Sequence, residues 1–367
     1  MHNLAPYFFA LAIIAPAVLA DAQNQIKTKV LAQSPDALQH ITTIEAEVTN
    51  DCVRGAKSDN GYWWSDRQAI MGTDIRVELW HEDQDTACAA IASVMDEMKR
   101  IDRVMSPFIE TSVLSQLNKK GAYRPVFVGR ELFDLIEQSL YFSKATDGAF
   151  DVTYASAGKH YSFRDGKKPD DQTLAKAVDV IDYRNLELDV ECRTIAFSKP
   201  GVSVDLGGIG KGYAVDQGIK ILQNLGITQA MVGAGGDSRI IGDRRGEPWV
   251  VGIKNPRSRK ENVAVLPLMD ISVSTSGDYE RFFEQEGVRY HHIIDPETGD
   301  SAREVRSVTI IGAEAATTDA LSTSVFVLGV KKGLALINEM EGFDAIVVDG
   351  EGQMFVSDSL LQMTAAR

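Results

Sequence analysis

Residues 202–216 read VSVDLGGIGKGYAVD, and the fold class turns on how that stretch is parsed. A short β-rich run ends in glycines at 207, 208, 210 and 212. Glycine tolerates positive φ and lets the backbone come close to a neighbour. A helical pattern over 211–225 follows. Downstream, further β-rich runs alternate with glycine clusters: AMVGAGGDSRIIG (230–242), WVVGIKNP (249–256) and ISVSTSG (271–277). Apolar spacing predicts helices over 319–327 and 331–341. Upstream, IMGTDIRVELW (70–80) alternates with period two and predicts a strand. Residues 84–104 carry Ala87, Ile91, Val94, Met95, Met98 and Ile101 at helical spacing, and 129–145 do the same with Leu132, Leu135, Ile136 and Leu140. Long helices mixed with strand pairs predict an α+β fold: a two-lobed single unit with mixed or antiparallel sheets and flanking helices.

At 367 residues the chain can bury a large core without metal or disulfide staples. Its net charge of −14 argues against a general nucleic-acid binder, which needs a basic face. An acidic protein that takes an anionic ligand needs local help from backbone N–H groups, a lysine or a cation. The apolar run FFALAIIAPAVLA (8–20) leads into two small-x-small sites, Val18–Leu19–Ala20 and Ala20–Asp21–Ala22. That pattern predicts a signal peptide over 1–20 and a periplasmic protein, with an uncleaved anchor as the alternative. Asp21 stands where a lipid-bearing cysteine would follow the leader, so membrane contact is expected only through partners. Residues 21–68 are expected to form an N-terminal extension with a loop at 55–61, and 69–367 the functional domain. Cys52, Cys88 and Cys192 form no CxxC pair. They allow one disulfide and a free thiol, or three buried unpaired thiols.

The 204–213 turn can receive a phosphate at the N-terminus of the helix it opens, with Lys211 adding a point charge. It lacks the order of a Walker loop and the spacing of a dinucleotide fingerprint, so a tight structural turn is the competing reading. Gly233–Ala234–Gly235–Gly236–Asp237 reads as a hairpin turn. Within His291–His292–Ile293–Ile294, neighbouring side chains of a strand face opposite ways. One histidine at most then enters a given cleft, which disfavours a two-histidine metal site and leaves room for a single base. Asp319 and Thr323 lie four apart on one helical face. A carboxylate plus a hydroxyl suits Mg²⁺ that shares substrate oxygens, and a simple helix cap is the alternative. Phe150, in the loop DGAFDVT (147–153), can stack on a planar ring or fill the core, and Phe108 poses the same choice.

Taken in order, MGT (71–73), MSPF…SQLN (105–118), DGAFDVT (147–153), VDLGGIGKGYAVD (204–216), GGD (235–237), STSGDY (274–279), HIIDPETG (292–299) and TDALSTSVFVLG (318–329) resemble the ApbE flavin transferases. The resemblance runs from about Met71 to the C-terminus. It implies an enzyme that takes FAD as substrate and attaches FMN through a phosphoester to a threonine or serine of another protein, releasing AMP with Mg²⁺ present. Carried over by position, Asp319, Thr323 and the Gly208 carbonyl resemble the family's cation ligands. Met71, Phe108, Ala149, Phe150, Asp151, Asp205, Lys211 and Ile294 resemble its FAD-contacting positions. His292 and Asp319 resemble its catalytic residues. Ser322 stands where some members have a second aspartate, and Phe108 where others have tyrosine. The implied acceptor is an exported redox-complex subunit with a short Ser/Thr motif. Two other readings stay open: an FAD pyrophosphatase that uses water as acceptor, and a periplasmic FAD-binding protein without turnover.

Overall fold

The computed structural model describes residues 12–13 and 52–365. Apart from Ala12–Ile13, the expected signal peptide lies outside the described residues, as does the part of the expected extension before Cys52. Nine strands form one large sheet, numbered β1–β9 in chain order: Val53–Ser58, Gly61–Ile70, Thr73–His81, Ala230–Ala234, Asp237–Ile241, Ser272–Gly277, Val305–Gly312, Asp344–Asp349 and Met354–Val356. Their order in space is their order in the chain, and every pairing is antiparallel. Four long helices are inserted between these strands: α1 (Gln84–Met105), α2 (Gly129–Ala145), α3 (Gly210–Asn224) and α4 (Ala315–Asn338).

Both faces of the sheet are covered, and β2 shows why. Its neighbours Trp63 and Trp64 point opposite ways, as a strand requires. Trp64 lies in the large core beneath α1, α3 and α4. Trp63 packs edge-on to Trp249 at 5.1 Å in a second core. That core lies under the ribbon formed by Trp249–Asn255 and Ser258–Leu268. A smaller lobe arises between α1 and α3, from the sheet of Val126–Phe127, Leu186–Asp189 and Thr194–Phe197 together with α2. A row of rings, Tyr161–Phe163–Phe283–Tyr290, joins it to the ribbon Phe282–Gln285 and Val288–His291.

Three expectations need correction. The 55–61 segment is a hairpin, not a loop, closed by Ser58 opposite Gly61. Residues 53–68 of the expected extension therefore contribute to the first two strands of the large sheet. The outermost strand β1 is exposed along most of its length and mostly polar, so it carries no alternating pattern to read. Of the cysteine alternatives, Cys52 and Cys88 are disulfide-bonded and Cys192 is free and exposed. The helices expected at 319–327 and 331–341 are one element, broken at Gly329, whose φ of 76° lies outside the helical region. Glu304 accepts a 2.9 Å hydrogen bond from the Val330 N–H there and so caps the second half.

Candidate active site

The site begins where α3 and α4 cross. Gly212, in the first turn of α3, lies so close to the start of α4 that a Cβ would stand 2.0 Å from the Ala315 carbonyl oxygen. That glycine serves helix packing, not approach to a ligand. At this distance each helix supplies a carboxylate to the other's N-terminus. Asp216 of α3 accepts hydrogen bonds from the Ala315 and Ala316 N–H groups (3.1 and 2.9 Å) and pairs with Arg239. Asp319 of α4 accepts one from the Gly212 N–H at 3.0 Å. Asp319 thus does not cap its own helix, where Glu314 occupies the cap position without a side-chain bond.

Asp319 is only partly satisfied by this. Lys211 places its ammonium 3.3 Å from both of its oxygens and 2.7 Å from Asp237 at the start of β5. Asp237 and Asp319 are each 2% exposed, so two buried carboxylates share one lysine. Burial first, then Asp237, pushes the Asp319 carboxyl up to about 7, against the pull of Lys211 and the Gly212 N–H. Burial alone would lower the lysine, but Asp237 and Asp319 outweigh it and hold the ammonium charged. A row of hydroxyls frames the carboxylates. Alternate residues of β6 face α4: Ser274 meets Thr318 at 2.8 Å, and Ser276 lies 2.8 Å from Ser322 and 3.4 Å from Thr323. Gly208 packs on Thr323, where a Cβ would stand 3.1 Å from the hydroxyl.

Among the described residues no cluster of three or more His, Cys, Asp or Glu is placed to hold a metal. The donors present are two carboxylates and neutral hydroxyls, with a residual negative charge. Such a set fits a hard divalent ion that keeps several substrate or water oxygens, and does not fit a soft ion needing nitrogen or sulfur.

A second group of side chains faces Lys211. Asp205 accepts a 2.7 Å hydrogen bond from the Gly207 N–H and another from the Tyr154 hydroxyl. Burial raises both Asp205 and Tyr154, and Arg281 acts on both in the opposite sense. Arg281 donates to the Gly72 carbonyl at 3.2 Å. That carbonyl belongs to the β2–β3 turn, in which Met71 and Gly72 both have positive φ (56° and 67°). For methionine this is a sparsely populated conformation, held by the hairpin. The strand ends at His291, and the two histidines have different surroundings. His291 faces the core, bonded to the Ala302 carbonyl at 2.6 Å and edge-on to Phe326. His292 leaves its Nδ1 without a partner. Burial, then Arg281, His291 and Lys211, pushes His292 down to about 3.

The structure therefore brings Asp319, Thr323, Gly208, Lys211, Asp205, Met71 and His292 around one region. Other expected residues stand differently. The Phe150 ring is in the core, edge-on to Phe142 and against Gly208, so stacking of that ring on a ligand is excluded by burial. The Asp151 carboxylate is engaged by Thr153 and by the Tyr183 N–H at 2.7 Å. It shapes its loop, in which Ala149 is half-buried. Ile294 is buried with Tyr161 and Tyr290. Phe108 is 81% exposed. Asp237, Arg281, Tyr154 and the Asp216–Arg239 pair were not read as site residues. Asp237 stood within a recognised glycine turn. The others carry no local signal, because their partners lie far along the chain.

The family profile described as the ApbE family matches residues 71–347. A protein of Treponema pallidum named FAD:protein FMN transferase is 34% identical over 304 residues, covering 78% of this chain and 84% of its own. A Klebsiella pneumoniae protein of the same name is 30% identical, covering 82% and 93%. Among solved structures, the ApbE protein of Thermotoga maritima superimposes with a TM-score of 0.76 at 34% identity, over 82% of this chain and 99% of that one. The flavin transferase ApbE of Vibrio cholerae gives 0.73 at 27% identity over the same shares.

Proposed function

The chain belongs to the ApbE family and is a flavin transferase, and from that premise we propose its reaction in full: FMN moves from FAD to a threonine or serine hydroxyl of an exported acceptor protein, through a phosphoester, with release of AMP and with Mg²⁺ at Asp319. The observation that carries this reading is the half-satisfied Asp319 at the N-terminus of α3, beside Lys211 and within reach of the same field as the unpartnered His292.

FAD's diphosphate is an anion entering an acidic protein. Lys211, Arg281 and the N-terminal end of α3 supply the positive potential that receives it. Asp319, with Thr323 and the Gly208 carbonyl, would hold the cation, which when bound supplies charge neutralisation at the diphosphate and at departing AMP. Exposed Phe108 offers a ring face for the isoalloxazine. His292 is neutral at physiological pH, and its imidazole is the base that takes the proton of the incoming hydroxyl. The hydroxyl oxygen bonds to the FMN phosphorus as the P–O bond to AMP breaks. An anion placed between Arg281 and Lys211 offsets two of the charges that depress His292, so its basicity rises with substrate in place.

The apolar leader supports export, and the Cys52–Cys88 disulfide is consistent with an oxidising compartment. The test is incubation of the full chain with FAD, Mg²⁺ and an exported redox subunit. The expected result is an acceptor heavier by one FMN less a water, with AMP in solution. FMN and AMP beside an unmodified acceptor would make it a hydrolase, and intact FAD would make it a binding protein.

A further inference from the structure

The position of Lys211 has a consequence for cation binding that the transfer reaction alone does not require. Its ammonium is held asymmetrically: 2.7 Å from Asp237, 3.3 Å from both oxygens of Asp319, and 3.4 Å from the Gly207 carbonyl. It lies against the carboxylate that the cation reading assigns to a divalent ion. An ammonium and a divalent ion cannot both contact one buried carboxylate without strong like-charge repulsion. The lysine has somewhere else to go, because Asp237 is 2% exposed and already its nearer partner.

We propose that Lys211 is a resident counter-ion for Asp319, that it yields this carboxylate when a divalent cation arrives, and that Asp237 is the positioning residue that retains it. The inference rests on the cation reading above. Asp237 then acts on cation affinity through the lysine and not as a ligand. With no cation bound, the ammonium keeps two buried carboxylates from facing each other unscreened. With one bound, the Lys211–Asp237 pair is self-neutralising, and the lysine stays beside the diphosphate.

The two partners should therefore shift cation affinity in opposite directions. The probe is Mn²⁺, followed by its electron paramagnetic resonance on the full chain without FAD, with Mg²⁺ competition as a second readout. Lys211→Met removes the competitor and should tighten Mn²⁺ binding by at least about tenfold. Asp237→Asn leaves the lysine with Asp319 alone and should weaken binding by about as much. In Lys211→Met/Asp237→Asn, the part of the Asp237 effect that runs through the lysine is gone, and the loss should be well below that in the wild-type background. Lys211→Arg, which keeps the charge, should not reproduce the tightening, and thermal melts of each variant report folding. If Asp237→Asn weakens binding equally in the Lys211→Met background, Asp237 is a ligand and the proposal falls. If Lys211→Met binds Mn²⁺ no better than wild type, the proposal also falls while the cation reading stands. If wild type and Lys211→Met both fail to bind, the cation reading itself is overturned.

Discussion

Asp216 and Asp319 are the same device built twice. Each sits on one of two crossing helices and accepts backbone N–H groups at the start of the other. Their surroundings differ. Asp216 takes two N–H groups and one arginine of its own, so charge and hydrogen-bonding capacity are both filled. Asp319 takes one N–H and shares a lysine with a second buried carboxylate. The first arrangement locks two helices together. The second leaves a carboxylate under-compensated in a region that also holds an unpartnered histidine nitrogen. What separates structure from chemistry here is not the residue type or its burial but how much of its capacity the protein itself consumes.

The comparison breaks most visibly at Asp319. Asp319→Ala should lower the transfer rate at least roughly a thousandfold, several kcal/mol of barrier, because the cation loses its main anchor. Stability should change by no more than about 1 kcal/mol, the worth of one lost cap. Rate assays beside urea melts check both, and an unfolded variant would mean that Asp319 is structural like its counterpart. Next in size is Gly212→Ala, which drives a methyl into the Ala315 carbonyl and spoils both caps together. The obstacle is backbone, which cannot rotate aside, so a loss of about 3 kcal/mol in urea unfolding is expected. Asp216→Asn should cost about 2 kcal/mol by leaving Arg239 without its charge partner. Activity per folded molecule should be nearly kept. A rate loss far beyond the stability loss would place Asp216 in the chemistry and erase the distinction.

Much of this was legible in the sequence, for local reasons. Residues 84–105, 129–145 and 210–224 bury one stripe each, and that stripe is written every three to four residues. The glycine cluster at 233–236 is a hairpin because its neighbours leave no room: a Cβ on Gly235 would stand 2.5 Å from Thr73, and one on Gly236 2.4 Å from the Thr275 carbonyl. Strand β1 escaped notice because an exposed polar edge has no apolar alternation. The Asp319–Thr323 face was readable from spacing alone. Which way it pointed was not, since that depends on Gly212, some hundred residues earlier, meeting Ala315. The same holds for Asp237, Arg281 and Tyr154: strand register and loop return bring them to the site, and neither is encoded nearby.

The smallest effect sharpens the comparison by pH. Asp319 in the folded protein titrates at about 7, above the 3.8 of an unperturbed aspartate. The folded state therefore holds a proton that the unfolded chain has released across that interval. The stability this contributes is complete below about pH 3.8 and is lost as pH rises toward 7. His292 works the other way. Its value of about 3 lies below the ordinary 6.5, so its contribution is present above 6.5 and lost as pH falls through that range. A raw pH profile mixes the two, whereas wild type minus Asp319→Asn removes His292 to first order, because Asp319 is not among the groups that shift His292. In the absence of divalent ions, the melting difference between the two proteins should shrink steadily from about pH 4 to 7. Adding Mg²⁺ at pH 7 should reopen it in wild type alone, since only the charged carboxylate binds the ion. A difference that stays flat over this range would show that Lys211 compensates Asp319 as fully as Arg239 compensates Asp216, and the two carboxylates would then be alike.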